Sequence, residues 1–459
     1  MLLRYNFFMN LMDKISFYTA LFNAKSINHI LHLLKRPGTS LPGYVAMKIS
    51  KNFLSHITNY CQNNVFTVTG TNGKTTTSGI LAHILKTAKH NVLHNEKGAN
   101  MPSGIATSLA VNCKPFSKFD YAVLETDEAY LTKLYDYLSA NYLLITNLFR
   151  DQLDRYGELD ATAKKIQGAI EKNPNLKLLI NADDPMLMEL GKDNEKIFFG
   201  FDDIKYETTI SNSLAPAEIV TCHCGQDLSY TSRYYAHIGK YHCSSCNFKR
   251  PELKYKGYGV IHENYSEIYV KYNKNGNEIE SSFKTNLIGL YNAYNVLAGI
   301  SSALECGIDP ETIQHALDTY KTMFGRAERL NIKGKNVFVQ LIKNPTGASE
   351  VLRTINNKNT SKILMAINDN YADGRDMSWL WDTDFERLNG FPNNIIVSGI
   401  RAYDMATRLK YAGFPKEKIE VIENIKESVE YALKGTKENE QLLLMPTYTA
   451  LLEMQKYLK

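Results

Sequence analysis

The sequence predicts an α/β protein with two mostly parallel sheets and a small cysteine-bearing module inserted in the first. Three observations carry that expectation. Short β-branched or aliphatic runs alternate with segments of helical period from about residue 60 to 200. A second alternating stretch begins near Val337, and between about Ser211 and Gly257 the alternation stops while Tyr and Cys become dense. With 459 residues, 44% apolar and 22% charged, the chain is long enough for about three units, and its composition excludes wholesale disorder and collagen-like repetition.

Residues 1–55 are expected to form a short lead-in. Their apolar, aromatic start is interrupted by Arg4, Asp13 and Lys14 and lacks a small-residue cleavage site, so it reads as an amphipathic helix packing on the body rather than as a secretory signal, with a membrane-surface helix as the alternative. Residues 56–330 are expected to form a central domain. Its strands are placed at Val65–Thr69, Tyr121–Leu124, Tyr142–Thr146, Lys177–Ile180 and Lys196–Phe199, with Ile80, Leu81, Ile84 and Leu85 marking a helix after the first. The inserted module is assigned to 211–257. Residues 331–459 form the second α/β, Rossmann-like domain, with strands at Val337–Leu341, Ile363–Ile367, Asn394–Val397, Glu420–Ile422 and Leu442–Met445 and a helix over Arg401–Ala412.

No run approaches the 18 or so apolar residues of a membrane span, and a net charge of +5 is too mild to imply nucleic acid. Cys61, Cys113 and Cys306 stand alone and read as core residues in a reducing cytoplasm, with the membrane periphery left open as a location.

The segment Gly70-Thr71-Asn72-Gly73-Lys74-Thr75-Thr76 follows a strand and opens a helix. Glycines let backbone N–H groups approach phosphate oxygens, the helix start adds positive potential, Lys74 supplies a point charge and the Thr75 hydroxyl suits Mg²⁺. The full P-loop pattern wants a glycine where Val68 stands, so this is a shortened form. A Mg²⁺-phosphate site also needs a carboxylate. Glu125, with Asp127 and Glu128, follows the strand Tyr121–Leu124 at the sheet edge where ligands bind. Lys74, Thr75 and Glu125 together describe ATP-Mg²⁺ chemistry.

Cys222-His223-Cys224 and Cys243-Ser244-Ser245-Cys246 place four thiolates at a spacing that could close a tetrahedral Zn²⁺ site. So small a ribbon has too thin a core to fold without metal, and nothing around it supplies the open position or base of a catalytic zinc, so the expected role is structural. A shifted turn, or replacement of a ligand by His223 or His242, stays open, as does a metal-free ribbon.

The segment Thr69–Thr77 resembles the phosphate loop of the Mur ligases, which activate a carboxylate as an acyl phosphate and couple it to an amine. Asn147–Gly157, Asn181–Pro185, Gly289–Asn295 and Gly325–Arg329 resemble further family segments in the expected order. Where several members carry a metal-binding His, this chain has Gln152, and Lys164 or Lys165 lies near the position of a carbamylated lysine; neither is assigned a role. Only 68 residues precede the loop, too few for the usual UDP-binding domain.

Within the family, Asp369–Asp382, Pro446–Leu452, Gly38–Gly43 and Lys343–Gly347 resemble the branch that forms the ligase subunit of lipid II isoglutaminyl synthase. That branch carries a four-cysteine ribbon, although its usual Cys-x-x-Cys would put a cysteine at Thr221.

The resemblance implies a central P-loop ATPase domain and ATP-dependent amidation of the D-glutamate α-carboxyl of lipid II. It puts Asn292 and Asn295 near adenine and Arg326 near the phosphates or the domain hinge. It also implies a GatD-like glutamine amidotransferase partner supplying ammonia, its triad completed by Asp369, with Asp373 and Asp376 as rivals. A folylpolyglutamate synthase-like ligase, a P-loop zinc-ribbon nucleic-acid-binding regulator and a non-catalytic scaffold remain as alternatives.

Overall fold

The computed structural model describes residues 2–36, 38–96, 99–114, 118–150, 159–207, 220–322, 325–355, 360–438 and 440–458. Among these, the first sheet has nine strands: β1 (Val65–Thr69), β2 (Val92–His94), β3 (Tyr121–Glu125), β4 (Tyr142–Ile145), β5 (Lys177–Asn181), β6 (Lys196–Tyr206), then β9 (Tyr255–Ile261), β10 (Ser266–Lys274) and β11 (Asn277–Thr285). Their order is β11-β10-β9-β6-β5-β4-β1-β3-β2. Strands β1 to β6 and β9 pair in parallel, and β10 and β11 add an antiparallel edge.

All five residues of β1 are buried, as expected where helices cover both faces of a parallel sheet. Phe66 and Val68 enter one core with Ile80, Leu81 and Leu297; Val65 enters the other with Phe17, Phe53 and Ile105. The period of two sends alternate side chains to opposite faces. Each large buried side chain contributes roughly 1.5–3 kcal/mol relative to exposure, and Phe66 also stacks on Tyr142 at 4.6 Å across the strand pair.

Helix α1 (Leu2–Leu33) packs through Phe17, Ala20, Leu21 and Ala24 on the second of these cores. It stops in a Schellman motif, with Arg36 N–H donating to Leu31 O, Lys35 N–H donating to His32 O, and Lys35 at φ 52°. Helix α2 (Leu41–Ile49) follows. Among the described residues no helix is long and apolar enough to cross a membrane.

A hairpin of β7 (Ser229–Tyr235) and β8 (Ile238–His242) forms a separate small sheet. Tyr255 and Gly257, which the sequence reading gave to the insertion, pair instead with Phe199 and Phe201 in the main sheet. Their burial alternates along β9, a signal hidden by the tyrosine-rich texture on either side. The antiparallel edge was not foreseen either, because most of β11 is polar and only Phe283 and Thr285 are buried.

The second sheet comprises β12 (Arg326–Ile332), β13 (Lys335–Gln340), β14 (Thr360–Ala366), β15 (Ile395–Ser398), β16 (Ile419–Val421) and β17 (Gln441–Pro446). Its order is β12-β13-β17-β14-β15-β16, all parallel except the β12–β13 hairpin. The expected helix lies at Ala402–Tyr411.

Candidate functional site

The parallel register sets Val68 opposite Glu125 and Thr69 opposite Ile145, so the chain leaves β1, β3 and β4 at one carboxyl edge. Between β1 and helix α3 (Lys74–Thr87), Gly70 (φ 125°) and Gly73 (φ 86°) take conformations that L side chains rarely adopt. A Cβ on Gly73 would also lie 2.0 Å from Asn295 Oδ1. Helix α3 begins without a side-chain cap, and the first-turn N–H groups of a helix lack intrahelical partners, which suits them to an anion.

The loop is clamped from the segment after β4. Thr71 N–H donates to Asn147 O at 2.9 Å, Asn72 N–H to Asn147 Oδ1 at 2.9 Å, and Thr146 Oγ1 to Asn72 O at 2.7 Å. Thr71 Oγ1 donates to Phe149 O and accepts from Phe149 N–H. Residues 151–157 of the expected Asn147–Gly157 segment, Gln152 included, lie outside the described residues.

Lys74 is buried, with Nζ 2.6 Å from Gly70 O and 2.9 Å from Glu128 Oε1. Burial opposes its charge, but Glu128, Asp127 and Glu125 outweigh this and raise the ammonium above its ordinary value. All three carboxylates are buried. Glu125 Oε1 accepts from Asn100 at 3.3 Å, whereas Oε2 is buried without a hydrogen-bond partner. A buried carboxylate oxygen with no protein partner beside a phosphate-type loop fits a hard cation such as Mg²⁺. Thr75 and Thr76 are buried in the same first turn.

Glu128, which the sequence reading placed behind Glu125, is the acid that holds Lys74. Asn295 lies against the loop through Gly73, and Thr77 Oγ1 donates to its Oδ1 at 3.3 Å. Its Nδ2 donates to Asn292 Oδ1. Tyr320 donates to Thr76 O and feels the charge of Arg326.

Asn344 was missed as a site residue: its Nδ2 donates to Asn72 Oδ1 at 2.9 Å, while its Oδ1 caps the helix Pro345–Arg353 through Gly347 N–H. An Asn-Pro helix start was the available signal.

Cys222, Cys224, Cys243 and Cys246 converge, all four sulfurs lying within 4.8 Å of one another. Cys222 and Cys246 are 3.5 Å apart, as are Cys224 and Cys243. Tetrahedral zinc with Zn–S near 2.3 Å separates its sulfurs by about 3.8 Å, so the set fits that ion. Ser245 N–H and Phe248 N–H donate to the sulfurs of Cys243 and Cys246, and the Ser245 bond leads in pulling the Cys243 thiol down to about 7. The one-residue shift of the first knuckle therefore keeps both its cysteines in the cluster.

The ribbon is fixed to the loop's support. His237, fully buried in the β7–β8 turn, has Nε2 3.2 Å from Asp184 Oδ1, and Asp184 Oδ2 accepts Leu148 N–H at 2.7 Å. Asp183 accepts from Tyr294 at 2.7 Å and lies 2.6 Å from Arg250 Nε. Burial pushes the Asp183 carboxyl up to about 6, against the lowering effect of Arg250 and Tyr294.

At the carboxyl edge of the second sheet, the three rival aspartates differ. Asp369 is buried, with Oδ2 2.7 Å from Arg401 Nη2. Asp373 accepts Thr449 N–H, Thr449 Oγ1 and Asn370 N–H, tying two strand ends together. Asp376 accepts Ser378 N–H in a turn. Tyr371 is 82% exposed, and Ile400 and Tyr403 are exposed as well.

Family models match two stretches: Mur ligase middle domain over residues 68–244 and MurT ligase C-terminal over 341–451. The chain is 36% identical over 443 residues to the Streptococcus pneumoniae protein named lipid II isoglutaminyl synthase (glutamine-hydrolyzing) subunit MurT, covering 95% of each chain. It is 32% identical over 447 residues to the Staphylococcus aureus protein of that name, covering 96% of this chain and 97% of the other. Among solved structures, a pseudomurein peptide ligase type C from Methanothermus fervidus matches with TM-score 0.65 and 22% identity, covering 87% of this chain and 79% of that one. MurF from Acinetobacter baumannii matches with TM-score 0.62 and 15% identity, covering 90% and 80%. At those identities the structural matches speak for the fold alone.

Proposed function

The chain belongs to the MurT family of Mur ligase-type enzymes, and from that premise we propose that it is the ligase subunit of a glutamine-hydrolysing lipid II isoglutaminyl synthase. The reaction is ATP-dependent amidation of the D-glutamate α-carboxyl of the lipid II stem peptide to D-isoglutamine. The observation that carries this reading is the orphaned Glu125 oxygen beside Lys74 and the uncapped helix start.

A carboxylate acylates poorly until one oxygen becomes a phosphate leaving group. Lys74 and the first-turn N–H groups of α3 take the transferring phosphoryl charge, Lys74 leaving Glu128 as phosphate arrives. Gly70, Thr71, Asn72, Gly73 and Thr76 shape the cradle. Glu125 and Thr75 would hold Mg²⁺, which when bound neutralises phosphate charge. Ammonia then forms the C–N bond as the C–O bond to phosphate breaks.

Asn295, set against Gly73 and bonded to Asn292, lies on the side where we place adenine, and Arg326 serves the phosphates or the domain hinge. We read the second sheet as Rossmann-like and the cysteine cluster as a structural Zn²⁺ site, with Cys222, Cys224, Cys243 and Cys246 as ligands. Its loading is readable as about one zinc per purified chain.

We assign ammonia supply to a separate GatD-like glutamine amidotransferase, with Asp369 completing its triad. That placement follows the resemblance, since all three aspartates are engaged, Asp369 by Arg401, Asp373 by Thr449 and Asp376 in a turn. Co-expression with such a partner, then mass spectrometry of lipid II incubated with ATP and glutamine, is expected to give a loss of about one mass unit as OH is replaced by NH₂. Unchanged lipid II overturns the reading. Asp369→Asn is expected to abolish glutamine-dependent amidation and spare use of free ammonia; unimpaired glutamine use rejects that placement.

A further inference from the structure

Helix α1 has two apolar faces, and the body covers only one. At about 100° per residue, Leu11, Ile15, Phe22 and Leu33 fall within roughly 40° of one another, on the side opposite Phe17, Ala20, Leu21 and Ala24. The second set is buried; the first is exposed, Phe22 by 73% and Leu33 by 71%. Packing on the body, as the sequence implies, accounts for one face and leaves the other unexplained.

Charge distinguishes the possible occupants. Residues 1–52 hold Arg4, Lys14, Lys25, Lys35, Arg36, Lys48 and Lys51 against a single acid, Asp13, a net of +6. The whole chain is +5, so the other 407 residues sum to −1. The chain's positive charge is therefore concentrated in the segment that carries the apolar stripe. Lys25 is turned inward, its Nζ on Cys113 O, while Lys14, Lys35, Arg36, Lys48 and Lys51 are exposed. A second copy docked stripe to stripe would set +6 against +6.

We propose that the outer face of α1 docks on an anionic lipid bilayer, the helix lying along the surface with its apolar stripe at the headgroup–acyl boundary and its Lys and Arg side chains at the headgroups. A stripe with basic flanks is the pattern of an interfacial helix, and one too polar to span. The inference stands apart from the assignment of the reaction, because its test reads binding alone.

The test is flotation of the full chain with vesicles of phosphatidylcholine containing about one third phosphatidylglycerol, beside vesicles of phosphatidylcholine only. The wild type is expected to float with the anionic vesicles, to be released by high salt and to ignore the neutral ones. Phe22→Ser with Leu33→Ser changes exposed positions and is expected to weaken binding about 30-fold at an unchanged melting temperature. Lys14→Glu with Arg36→Glu is expected to reduce binding and its salt sensitivity together.

Absence of wild-type flotation overturns the proposal, as does flotation indifferent to the apolar pair. Light scattering that finds a dimer dissolved by Phe22→Ser, with no vesicle binding, assigns the face to a second copy instead. Failure to float unless an acidic protein partner is added assigns it to that partner.

Discussion

Replacing Glu125 by glutamine is expected to make the protein more heat-stable and nearly inactive. The oxygen Oε2 is buried with no hydrogen-bond partner, and Glu125, Asp127 and Glu128 share one buried ammonium, Lys74. A buried carboxylate with an unpaired oxygen costs more than a neutral amide in the same place, and neutralising one of three like charges around a single ammonium is expected to recover about 1–3 kcal/mol before any cation is present. For a chain of this length the gain corresponds to roughly 1–3 °C in apparent melting temperature. Asn100 can still donate to the remaining carbonyl oxygen.

The same substitution removes the charged ligand proposed for Mg²⁺, and loss of a charge-stabilising group of that kind is expected to lower turnover by roughly 10²-fold. Scanning calorimetry without Mg²⁺ gives the first quantity. Amidation across a Mg²⁺ titration gives the second. A glutamine variant that melts below the wild type and keeps the same Mg²⁺ dependence refutes the argument, because the oxygen would then be neither strained nor a ligand.

Other consequences can be checked separately. Asp183 titrates near 6 in the folded chain against an ordinary 3.8, so folding holds its proton more tightly. Its contribution to stability is therefore full below about pH 4 and is lost as pH rises to about 6, a change of about 3 kcal/mol. Denaturation of Asp183→Asn and wild type from about pH 4 to 7 is expected to show that difference as a slope; a constant offset counts against it. Chelation is expected to remove about one zinc per chain and loosen the hairpin, read by metal analysis and hydrogen exchange. A metal-free chain that stays fully folded sinks the zinc assignment. Asn344→Ala is expected to cost about 1 kcal/mol through the lost helix cap and to raise the KM for ATP several-fold; an unchanged KM shows that its amide bond to Asn72 does not support the loop.

The legible parts of the molecule are those whose signal is local. Tyr142–Ile145 is buried along its whole length and reads as a continuous apolar run, and Lys74 and Thr75 adjoin the glycines they work with. Glu125 and Glu128 could not be ranked from sequence, because three acids at one strand end differ only in where their side chains point. Asn295 and Asn344 act on a loop more than 200 positions away in the chain, a distance no periodicity spans. Strand β11 escaped because a sheet edge exposed to water carries polar side chains, the composition also expected of loops.

The insertion is held to the main sheet at neighbouring residues. Gly239 N–H donates to Asp183 O, Arg250 meets the Asp183 carboxylate and His237 meets Asp184. One such fastening would act as a pivot, free to swivel. Several, set on consecutive residues and approached from both the hairpin and the segment after it, take away rotation as well as sliding. The cysteine cluster thus rides on the sheet as a rigid limb, and whatever meets its outer surface is offered one angle of approach.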